Sequence, residues 1–406
     1  MRRWQPRRRA WVWLALAASM VVSGCGQSRR LPTTDRSDRE WLRDAWEAQK
    51  RLYLRPDGYV VDSTRTDAPV TSEGQAYALM QAAWMRDRDT FTRVFDWTER
   101  HLKRPDGLYS WLWTADDGGR VVDDNSATDA DTDIAFALVL AAAAFDAPHL
   151  LDRARDIVVA VRTHASLAVK RGWIVLPGRW AAPDRITSLS YFSPFAYEYF
   201  DEIDPSGRWS EAIHAGYDLL EASLQGQPPR LPPDFVSVDL AGRPTGLPAG
   251  SRLSPNFSYD AMRVFWRVDL DCRLHRRARA CVERGGARQA AVVMGRDGRL
   301  VDRYAVDATP LSTRESLSFY GALLPAVEVV APAQAGWIRT QRLTPPALDE
   351  LLVRSDRYYD FNWTWFGLAS TSGLTVERTP RVRTVRAMGS RAMGSESISV
   401  SAMGKN

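Results

Sequence analysis

Between residues 38 and 370, apolar residues recur at helical spacing in about a dozen segments and show almost none of the alternation of a half-buried strand. A chain patterned this way folds by packing helix on helix. Helices are predicted from Ser37-Asp38 to Leu52, from Ser72 through Ala83, and from Asp89 to Leu102, which stops at the turn Arg104-Pro-Asp-Gly107. They continue from Asp129 to Phe145, His149 to His164, Phe192 to Phe200, Arg208 to Leu224, Ser258 to Leu274 and Arg277 to Met294. A hairpin-like segment follows at Gly295 to Gly298, then helices from Ser312 to Val330, Pro332 to Thr340 and Ser355 to Ala369. The connections are long and aromatic. Residues 111–124 carry two tryptophans and Gly118-Gly119, 173–190 carry Trp173, Trp180 and Pro183, and 227–255 form a Pro- and Gly-rich excursion. The expected fold class is therefore all-α, a toroid of helix pairs, with loops long enough to be functional.

The ends read differently. Five arginines in the first nine residues, an apolar run from Trp11 to Val22 and then small residues make residues 1–24 a secretory signal, too short to span a bilayer. Val22-Ser-Gly-Cys25 resembles a lipobox, which makes Cys25 the lipidated first residue of a periplasmic, lipid-anchored protein. Gly26-Gln27 after it lean to the outer membrane. Residues 25–37 serve as a tether, 38–372 as the folded domain, and 373–406, with their Arg-Ala-Met-Gly-Ser repeat, as a disordered tail. Loss of the five signal arginines takes the net charge of +5 to neutrality, so nucleic acid is not an implied partner. Cys272 and Cys281, nine residues apart in an oxidising compartment, suit either a disulfide or two buried thiols.

Carboxylates mark three predicted helix starts. Asp129, Asp131 and Asp133 crowd the head of a strongly apolar helix, more acid than one cap uses. Glu73 lies in the first turn of the helix from Ser72, and Asp260 lies three residues before Arg263. Three acids from three helix starts, converging on a cleft lined by the loop tryptophans Trp111, Trp113, Trp173 and Trp180, fit glycoside hydrolysis. There one carboxylic acid protonates the leaving oxygen and a second carboxylate activates water or attacks the sugar. Five histidines without His-x-x-x-His spacing give no zinc motif. The calcium-like spacing of Asp129-Ala-Asp-Thr-Asp133 fails where Ile134 and Leu140 replace the required glycine and glutamate. No metal or cofactor is expected.

These motifs resemble those of glycoside hydrolase family 8. Ala127-Thr-Asp-Ala-Asp-x-x-Ile-Ala-x-Ala-Leu-Val-x-Ala-x-x-x-Phe145 matches the family signature, Ser72-Glu-Gly-Gln75 its general-acid motif, and Tyr259-Asp-Ala-x-Arg263 the segment of its general base. Ser190-Tyr191 with Pro194, and Tyr358-Tyr359, match further pieces. The resemblance implies an (α/α)6 barrel and an inverting endo-β-1,4-glucanase. Glu73 would be the general acid, Asp260 the general base and Asp129 the acid that binds and distorts the sugar, with Tyr191 and Arg263 supporting; Asp131 and Asp133 are expected to be scaffold. Ser188-Leu189 and Phe265-Trp266 depart from the family pattern and bear on chain specificity. The implied substrate is cellulose or a related polysaccharide, with work alongside a polysaccharide synthesis or export complex. Chitosanase or xylanase activity, or glycan binding without turnover, are the alternatives.

Overall fold

In the computed structural model, residues 36–227, 229–279 and 284–389 are described. Helix α1, Asp38–Leu52, starts at a capping box in which Ser37 and Glu40 satisfy each other's backbone N–H groups. It buries one stripe, Trp41, Leu42, Ala45, Trp46 and Ala48, and leaves its charged face to water. Helices α2, Ser72–Met85, and α4, Thr128–Ala144, are different in kind. Small and apolar residues surround them, so α4 is buried from Thr128 to Ala142, and in α2 only Glu73 and Met85 are not buried. A helix apolar on all sides belongs inside other helices.

The remaining helices divide the same way. With α3, Arg88–His101, α5, Leu150–His164, α6, Pro194–Ile203, α7, Trp209–Ser223, and α8, Arg263–His275, the chain builds a double ring. The inner ring among the described residues is α2, α4, α6, α8, Leu317–Val330 and Tyr358–Thr371, each packed on the next. Gln81 Nε2 donates to Asn362 Oδ1 at 3.1 Å and closes the ring. Outside it, α3 lies on α2, α5 on α4, α7 on α6, Ala287–Asp297 and Pro332–Gln341 on Leu317–Val330, and α1 on Tyr358–Thr371. This is an (α/α)6 barrel. Its tightest crossing is at Gly321 and Gly367, where a Cβ on Gly321 would sit 2.5 Å from the Trp363 carbonyl oxygen, so the two backbones touch directly.

The inner helices present their N-termini to one end of the barrel, and small antiparallel sheets decorate that end. Strands β1, Val70–Thr71, β2, Ser110–Thr114, and β3, Arg120–Ser126, form one sheet. Strands β4, Ser166–Val169, and β5, Gly172–Val175, form a hairpin, and β6, Ile186–Thr187, β7, Val236–Val238, and β8, Pro244–Thr245, form a third unit. The stretches 111–124, 173–190 and 227–255, expected as loops, thus contain strands. These run two to seven residues, too short for alternation to stand out in the sequence. Helix α8 starts at Arg263, not at 258, because 258–262 are held in turns by contacts from elsewhere. The expected hairpin at 295–298 is instead the end of helix Ala287–Asp297, stopped by Gly298 at φ 67°.

The expected tail begins too early. The chain continues as helix Leu374–Arg378 and a helical stretch over 382–389. Val385 is 1% exposed, Trp84 Nε1 donates to Thr379 Oγ1 at 3.1 Å, and the Tyr199 hydroxyl donates to the Pro380 carbonyl at 2.8 Å. This arginine-rich sequence shows no apolar period because isolated contacts with inner helices dock it. Cys272 is engaged in a disulfide. Cys281, the signal and lipobox with Cys25, and residues 390–406 lie outside the described residues.

Candidate active site

The sequence Thr71-Ser-Glu dictates how the first acid is offered. Thr71 ends β1 and caps α2, its Oγ1 accepting the Gly74 N–H at 3.0 Å, so Glu73 falls in the first turn with its carboxyl at the barrel mouth. Ser126 ends β3 two residues before α4, which places Asp129 in the same way. Asp260 sits in the turn before α8.

Arg263 gathers them. Its guanidinium is 1% exposed; Nη1 donates to Glu73 Oε1 and to Asp129 Oδ2, both at 2.7 Å, and Nη2 donates to Asp260 Oδ1 at 2.5 Å and Ser190 Oγ at 3.1 Å. The Tyr191 ring lies against it, 5.7 Å from the guanidinium carbon to the centroid. Deeper, Arg267 grips Asp133 with both Nη atoms at 2.7 Å and donates to Ser193 Oγ at 2.5 Å. Asp131, fully buried, accepts the Tyr109 N–H at 2.9 Å and ties the residue just before β2 to α4. The acidic cluster therefore divides: Asp129 faces Arg263, while Asp131 and Asp133 are scaffold, as expected.

Charge in this region does not cancel. Four carboxyls, Glu73, Asp129, Asp133 and Asp260, face two guanidiniums. Burial pushes Glu73 above the usual carboxylate range; Arg263 opposes this, Asp129 adds to it, and the Tyr77 hydroxyl, which donates to Glu73 Oε1, opposes it. Burial likewise raises Asp260, to about 7, against Arg263 and with help from Asp234, Glu73 and Asp129. Both side chains nonetheless keep an edge open to the cleft, 29% exposed for Glu73 and 39% for Asp260. Two carboxyls, both raised above the usual carboxylate range and each reachable by substrate, stand on different nitrogens of one guanidinium.

Of the four candidate sugar platforms, two keep exposed surface. Trp180 is 41% exposed, beside the Ser126 carbonyl at the head of α4, and Trp111 is half-buried on β2. Trp113 and Trp173 are corrections. Trp113 is 6% exposed and packs on Tyr59 and Trp97; Trp173 is 8% exposed, lies 4.7 Å from the Trp209 ring and donates to the Gly207 carbonyl. Both hold small sheets onto the barrel. The departures at Ser188 and Trp266 are accounted for locally: Ser188 Oγ bonds Ser190 Oγ at 2.8 Å behind Arg263, and Trp266 is core, donating to the Phe366 carbonyl at 3.1 Å.

Sequence reasoning missed Tyr77, Asp234 and the placement of Tyr359. Tyr77 was findable, since i+4 on a helix puts it over Glu73. Tyr359, in the first turn of the last inner helix, donates to the Tyr259 carbonyl at 2.9 Å and borders the acids. Asp234 carries no local signal.

Comparison with known proteins agrees with the geometry. A family model described as "Glycosyl hydrolases family 8" matches residues 5–282, which include Glu73, Asp129, Asp260 and Arg263. A probable endoglucanase of Novacetimonas hansenii is 35% identical over 260 residues, 62% of this chain and 72% of that one. The endoglucanase of Escherichia coli K12 is 26% identical over 332 residues, 80% and 85% of the two chains. Among solved structures, the endo-β-1,4-glucanase CMCax from Acetobacter xylinum aligns at TM-score 0.65 and 23% identity, covering 82% of this chain and 98% of that one. At these identities the structural likeness speaks for the fold.

Proposed function

Because the chain belongs to glycosyl hydrolase family 8, we propose that its barrel mouth hydrolyses β-1,4-glucan with inversion, Glu73 acting as general acid and Asp260 as general base. One observation carries the reading: two carboxyls from separate helix starts, both raised above their usual range and both open to the cleft, are held on the two terminal nitrogens of Arg263. An inverting pair stands roughly 6.5–9.5 Å apart to seat a water. Two hydrogen bonds and the width of a guanidinium are compatible with that spacing.

In this mechanism Glu73, protonated, gives its proton to the glycosidic oxygen as the bond to the anomeric carbon breaks. Asp260, ionised, takes a proton from the water that attacks the opposite face. Asp129, fixed by Arg263, accepts a hydroxyl of the sugar at the cleavage point, and Trp111 and Trp180 offer indole faces to neighbouring pyranose rings. Endoglucanase names among the relatives favour a β-1,4-glucan such as cellulose. A structure of a GH8 xylobiose complex from Teredinibacter turnerae, TM-score 0.66 at 19% identity, makes xylan the second substrate to try.

Release of reducing ends from carboxymethylcellulose, xylan and chitosan tests the reading. The expected order puts carboxymethylcellulose first; binding of all three without release would replace the enzyme with a glycan-binding protein. Lipid anchoring at Cys25 is part of the proposal, supported by the lipobox-like Val22-Ser-Gly-Cys25. Cys25→Ser is expected to move the protein out of the membrane fraction, and unchanged fractionation would remove the anchor.

A further inference from the structure

Asp234 belongs to none of the motifs above, yet it is 1% exposed and its carboxylate is directed at the turn that carries Asp260. Leu231-Pro-Pro-Asp234 delivers it: two prolines fix φ and hold the approach extended. The Asp234 N–H donates to the Asn256 carbonyl at 2.6 Å and the Phe235 N–H to the Ser254 carbonyl at 3.0 Å, so this strand-like piece lies along 254–256. Asp234 Oδ1 then accepts two backbone N–H groups, Ser258 at 3.0 Å and Ala261 at 2.8 Å, and Oδ2 accepts the Ser258 hydroxyl. Two of these partners are N–H groups that can only donate, and with the Ser258 hydroxyl they favour the ionised carboxylate against the burial that raises its pKa. Helix α8 has no side-chain cap of its own, its N-cap being Met262. The turn Ser258-Tyr-Asp-Ala261 is therefore shaped from outside, by an acid 24 residues away in sequence from Ser258.

We propose that Asp234 is a positioning residue for Asp260, gripping the N–H groups on either side of it so that its carboxyl points at Arg263 and the cleft. The proposal rests on the acid–base reading above and deepens it. Asp234 acts in two ways. Mechanically, it limits rotation of the turn, where a displacement of ~1 Å would misplace the base and cost about 100-fold in rate. Electrostatically, it adds a negative charge close to Asp260. The groups facing Asp260 are Arg263 on its own helix start, Glu73 on α2, Asp129 on α4, Asp234 in this segment, and the hydroxyls of Tyr191 and Tyr359. Of the charged ones only Arg263 favours ionisation, so removing the charge of Asp234 makes Asp260 easier to ionise.

The test compares Asp234→Ala, Asp234→Asn and Ser258→Ala with the wild-type enzyme on carboxymethylcellulose. Asp234→Ala, which removes the grip, is expected to lower kcat by about 100-fold with KM changed less than about twofold. Asp234→Asn keeps one acceptor oxygen and loses the charge. It is expected to move the acidic limb of kcat/KM to lower pH by roughly half a unit or more. The position of that limb does not depend on how much of the enzyme is folded, so a purely structural role would leave it in place. Should Asp234→Ala fail to fold, Ser258→Ala, which deletes only the hydroxyl contact, replaces it, with an expected loss of several-fold in kcat. Wild-type kcat in the grip variant, or an unmoved limb in Asp234→Asn, would overturn the proposal. Asp260→Asn serves as the control: if it is active, the acid–base reading itself has failed, whereas an inactive Asp260→Asn beside normal Asp234 variants removes Asp234 alone.

Discussion

Replacing Glu73 with glutamine is expected to lower kcat on carboxymethylcellulose by about three orders of magnitude, within the range of roughly 10²–10⁴ that a positioned general acid supplies. Glutamine matches the shape and can still accept from Arg263 Nη1 and the Tyr77 hydroxyl, so the loss would report the missing proton and not a rearranged site. The variant should also be at least as stable as the wild type near neutral pH. Burial raises the folded-state pKa of Glu73 above its unfolded value. The folded protein therefore binds this proton more tightly, and stability falls as pH rises from the unfolded pKa, about 4.3, through the higher folded one. Glutamine removes that loss. Activity within tenfold of the wild type would take the acid role from Glu73.

Asp260→Asn carries the second large effect. Loss of the base is expected to reduce kcat by roughly 10²–10⁴-fold, again with the fold intact. The same sign applies: the carboxyl lies at about 7, raised by burial against Arg263, so its ionisation opposes folding as pH rises from about 4 toward 7. Near pH 8 the asparagine variant should melt above the wild type, by a margin that the 39% exposure of the side chain keeps small. In the wild-type enzyme the acidic limb of kcat/KM should fall nearer 7 than the value of about 4 for an ordinary aspartate. A limb near 4 would show that Asp260 is not the group being titrated.

Sequence made the barrel and the acids legible for the same reason. Apolar periodicity marks helices, and an acid in the first turn of a fully apolar helix, as at Glu73 or Asp129, has nowhere to face except the helix mouth. The family motifs then assigned roles. What was not legible arises from contacts between distant segments. Arg263 was visible as a neighbour of Asp260, but its bonds to Glu73 and Asp129 span 190 and 134 residues. Trp113 and Trp180 look alike as loop tryptophans, and only the packing of Trp97 and Tyr59 shows that one is core. Asp234 follows two prolines in an excursion without period, so its grip on the Asp260 turn exists only in three dimensions. The docked stretch 374–389 was hidden likewise, since a buried threonine hydroxyl and one valine leave no pattern.

In the proposed mechanism Glu73 and Asp260 cut a β-1,4 bond by single displacement, with water entering opposite the leaving group. Proton NMR of a soluble cello-oligosaccharide, followed from the first minutes after adding enzyme, reads this directly. Newly formed reducing ends are expected to appear first as the α anomer and then mutarotate. First appearance of the β anomer would mean retention through a covalent intermediate and would contradict single displacement.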